Sequence, residues 1–78
     1  MNLNQLKARQ DELQHINIIT NEGDIYLVEA AFADHTELLV NDNGSPRTYA
    51  GVYHVKESLE SLRIPAYKLV FDSPYEEI

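Results

Sequence analysis

His15-Ile16-Asn17-Ile18-Ile19-Thr20, Asn21-Glu22-Gly23-Asp24 and Ile25-Tyr26-Leu27-Val28-Glu29-Ala30-Ala31-Phe32-Ala33 read in turn as strand, turn and strand. The first run is β-branched and partly alternating, as strands are. In the turn, Gly23 supplies the positive φ of a tight reversal. In the last run, Tyr26, Val28, Ala30 and Phe32 fall on one face. Ile25, Leu27, Glu29 and Ala31 fall on the other, and Glu29 marks that face as the wetter one.

The pattern continues downstream. Asp34-His35-Thr36 is a second turn, and Glu37 to Asn41 a third strand with Leu38 and Val40 on one side. Asp42-Asn43-Gly44-Ser45-Pro46 is the strongest turn signal, since Asn-Gly favours a two-residue hairpin loop. Pro46 cannot donate to a ladder, so a strand over Arg47 to Tyr49 is short and lies at an edge. Gly51 to Arg63 is the longest predicted helix, with Val52, Val55, Leu59 and Leu62 on one apolar stripe and Pro65 ending it. A last strand covers Ala66 to Phe71, where Tyr67, Leu69 and Phe71 alternate with Lys68 and Val70.

Upstream, residues 2–10 read as a short helix capped by Asn2. Leu3 and Leu6 share a face, and Leu13 closes the same patch. The order is α-β-β-β-(β)-α-β. It predicts an α+β fold: an antiparallel sheet of four to five short strands, with a short N-terminal helix and the longer helix, about 51–63, packed on one face. At 78 residues the chain has room for a single domain spanning 1–78. Residues 73–78, broken by Pro74, read as an extended tail.

Composition narrows the function classes. Thirteen acidic residues face six basic ones, a formal net charge of −7. That balance repels phosphate backbones and anionic membranes. The cations Lys7, Arg9, Arg47, Lys56, Arg63 and Lys68 are scattered, so neither nucleic acid nor membrane is expected as a partner. The α-β-β-β-α order is that of double-stranded RNA-binding domains, but the second helix opens Gly51-Val52-Tyr53-His54-Val55-Lys56-Glu57, with one lysine and a glutamate. There is no cysteine, so no disulfide and no thiolate metal site. Small secreted domains usually carry disulfides, and a cytoplasmic location is expected. No signal peptide pattern opens the chain, and no apolar run approaches the ~20 residues of a membrane span.

Catalytic chemistry is hard to place. His15, His35 and His54 show no metal-ligand spacing. His54 and Glu57 share a helix face, but two ligands are too few for a structural zinc site. Asp42-Asn43-Gly44 lacks the ligand pattern of a calcium loop. Ser45, Ser58, Ser61 and Ser73 lack a nucleophile-elbow context. Gly23, Gly44 and Gly51 are used by turns or a cap and form no phosphate loop. No catalytic residue, cofactor or metal is expected, and the chain is not expected to be an enzyme. Among the aromatics, Tyr26, Phe32, Tyr67 and Phe71 fit core or half-buried strand positions. Tyr53 lies off the apolar stripe, and Tyr75 follows Ser73-Pro74 in an acidic stretch.

Four motifs in order resemble a family of short proteobacterial proteins of unknown function. They are Asn2-Leu3-Asn4-Gln5-Leu6-Lys7, Ile25-Tyr26-Leu27-Val28-Glu29, Leu38-Leu39-Val40-Asn41-Asp42-Asn43-Gly44-Ser45-Pro46 and Ser73-Pro74-Tyr75-Glu76. Gly51 departs from that pattern, where a serine-type helix cap is expected. The resemblance implies no activity, but it draws attention to the C-terminal residues.

Two readings follow. One is a non-catalytic protein-interaction module, using Tyr53, Pro74, Tyr75 and Glu76 or a sheet edge near Pro46, with self-association as its simplest form. The alternative is a small-ligand or metal-responsive regulator built on His54, Glu57 and nearby carboxylates.

Overall fold

A computed structural model describes residues 1–20 and 24–71. Helix α1 (Leu3–Ala8) and a 3-10 turn (Gln10–Glu12) lead into strands β1 (His15–Thr20), β2 (Tyr26–Ala31), β3 (Thr36–Leu38) and β4 (Thr48–Tyr49). Helix α2 (Val52–Ser58) and strand β5 (Tyr67–Phe71) follow. The fold is α+β, with one open five-stranded sheet ordered β3-β2-β1-β5 and β4 also paired to β2.

The sheet is mixed, which corrects the antiparallel expectation. β2 pairs antiparallel with β1, β3 and β4, but β5 runs parallel to β1. The reason lies in the connections. Tight turns reverse a strand, whereas a helical crossover returns the chain in its original direction. β4 runs with β1, because both are antiparallel to β2. The crossover through α2 therefore delivers β5 in that same direction on the far side of β1.

α1 begins as Asn2 dictates. Gln5 N–H donates to Asn2 Oδ1 at 2.8 Å, and Asn2 N–H donates to Gln5 Oε1 at 2.8 Å, a reciprocal capping box. α2 is shorter than the expected 51–63. After Ser58 the chain tightens into turns, with Glu60 N–H donating to Glu57 O and Leu62 N–H to Leu59 O. The stripe survives this change: Val55 and Leu59 are fully buried, and Val52 and Leu62 pack against them.

The core is one cluster on the helix-covered side of the sheet. Leu6 and Leu13 meet Ile16 and Ile18 of β1, Val28 and Ala30 of β2, Phe32, Leu39, Val55 and Leu59. Leu39, not Leu38 or Val40, is the buried residue of its segment. β3 ends at Leu38, and beyond it the strict alternation of a strand no longer holds. Gly44 has φ +90, the left-handed conformation the Asn43-Gly44 loop requires.

Candidate interaction surface

β5 is the outermost strand on its side of the sheet, paired only to β1 among the described strands. The register sets its side chains in rows. Tyr26, Thr20 and Phe71 share one row, Val28, Ile18 and Leu69 the next, and Ala30, Ile16 and Tyr67 the third. All three rows lie on the core side, because cross-strand partners point to the same face. Thr20, Ile18 and Ile16 are buried, yet Leu69 is 57% and Phe71 61% exposed. Val70, on the opposite face in a row with Ile19 and Leu27, is 37% exposed. The edge therefore presents a continuous apolar run, Leu69-Val70-Phe71, with Lys68 as the charge of the strand.

α2 packs on β2 and β4, which leaves the outer part of β5 bare. Its reach over β5 stops at Tyr67, where Lys56 Nζ stands 5.3 Å from the ring centroid. Partial burial there pushes the Tyr67 hydroxyl pKa up. Phe71 thus departs from the expected core or half-buried position: it stands at the end of the outermost strand, beyond the reach of α2.

The backbone phase of β5 is fixed by one hydrogen bond. Ile16 N–H donates to Ala66 O at 2.9 Å. Successive residues alternate in direction, so Ala66, Lys68 and Val70 face β1, while Tyr67, Leu69 and Phe71 turn their N–H and C=O groups outward.

The residues expected to bind a partner divide. Tyr53 stands on the first turn of α2, 72% exposed, with its ring edge-on to His54 at 5.9 Å. It makes no described contact with the β5 run. Pro74, Tyr75 and Glu76, and the whole expected tail 73–78, lie outside the described residues. The edge near Pro46 is occupied: Pro46 bridges Val40, and Arg47 N–H donates to Leu39 O at 3.1 Å. Leu69, Val70 and Phe71 escaped the sequence reading. Their signal was a break in alternation on a strand that follows a helical crossover.

Residues 1–78 match the family of unknown function DUF6482. The chain belongs to this family. No curated protein and no solved structure matches this DUF6482 chain. Among its described residues, no group of three or more His, Asp or Glu side chains is placed to hold a metal ion. His54 and Glu57 belong to no such group among the described residues. Among the described residues no helix is long and apolar enough to cross a membrane.

The densest titratable cluster lies elsewhere, around the β2–β3 connection. His35 contacts Asp34 and Glu37, Glu37 contacts Arg9, and Arg9 contacts Glu12. The ring of Phe32 lies beneath the Arg9 guanidinium at 4.5 Å and stacks with His35 at 5.1 Å. Three ionisable residues within four positions, 34–37, were its signal in the sequence.

Proposed function

We propose that this DUF6482 protein is a non-catalytic protein-interaction module that engages its partner by strand addition along β5, the partner being a second copy. The observation that carries this reading is the exposed Leu69-Val70-Phe71 run on the outermost strand. Long apolar edges are otherwise blunted by charge, proline or a covering element.

The edge is complementary to itself. In an antiparallel pair centred on Leu69, each Leu69 faces the other, Tyr67 faces Phe71, and Lys68 faces Val70. The outward backbone groups of Tyr67, Leu69 and Phe71 then meet those of Phe71, Leu69 and Tyr67. Two aromatic pairs form, and no lysine stands opposite a lysine. The arrangement is two-fold, as most homodimers are. The net charge of −7 on each copy opposes association over longer range, and salt screens it.

Sedimentation velocity over a concentration series tests this. Wild type should pass from monomer to dimer with rising concentration, and more readily at ~1 M than at ~0.1 M salt. Leu69→Lys should remain monomeric with an unchanged unfolding transition, and Tyr53→Ser should dimerise like wild type. A wild type that stays monomeric at the highest concentration, or a Leu69→Lys variant that dimerises equally, would overturn the reading.

A further inference from the structure

The β2–β3 connection constrains its own proton count. His35 Nδ1 lies 2.6 Å from Asp34 Oδ1, and His35 Nε2 lies 3.0 Å from Glu37 Oε2. A neutral imidazole carries one N–H and can donate to one carboxylate; its other nitrogen would then face an oxygen lone pair to lone pair. Both contacts are hydrogen bonds only in the imidazolium, where both nitrogens donate.

The cluster also ties separate elements together. From the end of α1, Arg9 Nη1 donates to the same Glu37 Oε2 at 3.1 Å, and Arg9 Nε reaches Glu12 of the 3-10 turn at 3.3 Å. From the start of the chain, the Met1 ammonium donates to Leu38 O at 2.9 Å, and Val40 N–H donates to Met1 O at 2.8 Å. α1 is thus fastened to the β3 segment at both ends. The backbone closes the turn itself through Phe32 N–H to His35 O at 2.8 Å. The charged groups facing His35 are therefore Asp34 and Glu37 on its own segment; from the elements packed against it, Arg9 acts on both carboxylates, the Met1 ammonium on Glu37, and Glu12 pairs with Arg9.

We propose that His35 is a proton-gated latch that clamps the β2–β3 connection by joining Asp34 to Glu37 of edge strand β3, the same Glu37 that Arg9 holds from the end of α1. Protonated, it grips both carboxylates and the latch is closed. Deprotonated, it keeps its one N–H for the nearer Asp34 and releases Glu37, which Arg9 alone then holds. The two carboxylates raise the His35 pKa, Asp34 more than Glu37. The sign follows. A raised histidine favours the folded, closed form fully below the ordinary value of ~6.5, and that contribution is lost as pH rises through the higher folded value.

Long-range proton–nitrogen NMR of the histidine rings in the full chain, titrated from acid to alkaline pH, tests the latch. Both His35 nitrogens should stay protonated to a midpoint above ~6.5. Asp34→Asn and Glu37→Gln should each shift that midpoint downward. Amide shifts of Thr36 to Leu38, and exchange of the Leu39 N–H bonded to Val28 O, should follow the same midpoint. Both should lose that step in His35→Gln. Should that variant unfold, loss of the step's displacement in Glu37→Gln serves instead. A His35 midpoint at or below ~6.5, or β3 amides blind to the His35 titration, would overturn the proposal.

Discussion

Ile18 and Leu69 are direct partners across the parallel β1–β5 pair and point to the same side of the sheet, yet Ile18 is 1% exposed and Leu69 57%. Adjacent positions on one face thus carry opposite energetic weight. Ile18→Ala should cost ~2–5 kcal/mol, because it opens a cavity beneath the helices. Leu69→Ala should stay within ~0.5 kcal/mol of wild type. Urea unfolding of both variants, at concentrations where the protein is monomeric, checks the contrast.

Two glycines should respond in opposite directions. Gly51 caps α2 with extended backbone and no side-chain hydrogen bond, and a Cβ there would meet nothing nearer than His54 Cδ2 at 3.8 Å. Gly51→Ser should therefore stabilise by a few tenths of a kcal/mol, through a new cap for the helix N–H groups. Gly44 has open space around a Cβ but sits at φ +90. Gly44→Ala should destabilise by ~1–2 kcal/mol from backbone strain alone. Thermal unfolding midpoints of the two variants should move apart.

The Tyr49 hydroxyl joins β4 to α2. It accepts from Arg47 Nε at 2.8 Å and shares a hydrogen bond with Ser58 Oγ at 2.8 Å, in a partly buried position. Tyr49→Phe should cost ~0.5–1.5 kcal/mol, the net worth of such bonds. Ser58→Ala should cost a similar amount, and the double variant less than the two added together. A double-mutant cycle in urea measures that coupling.

Acid should undo the other half of the His35 cluster. Hydrogen bonding to His35 holds the Asp34 and Glu37 carboxyls below their ordinary values, and Arg9 adds to the effect. A depressed carboxylate contributes stability fully above its unfolded value, and this is lost as pH falls through the folded one. Wild-type stability should therefore fall as pH drops below ~4. Glu37→Gln should show a shallower acid decline, read from urea midpoints across the pH range.

Much of this fold is written locally. Strand β1 begins and ends where β-branched residues 15–20 place it, and Val28, Ala30 and Phe32 alternate into the core as the period of two demands. Asn2 caps α1 because a side-chain oxygen satisfies backbone donors wherever it stands in that position. The direction of β5 is a different kind of property. Tyr67, Leu69 and Phe71 alternate as a strand's core face would, but their exposure depends on which strand they join and how far α2 reaches. Neither is encoded within five residues. The His35 cluster was half legible: Asp34, His35 and Glu37 are neighbours in the chain, whereas Arg9 arrives through tertiary packing.

Parallel pairing of β5 with β1 also sets the order in which the sheet can be completed. Only five residues separate β1 from β2, so their ladder closes at little entropic cost. Tyr67 must find Ile16 only after the hairpin, β4 and α2 have been laid down between them. Contacts so distant in sequence form late and slow the search. Until β5 docks, β1 has one open side.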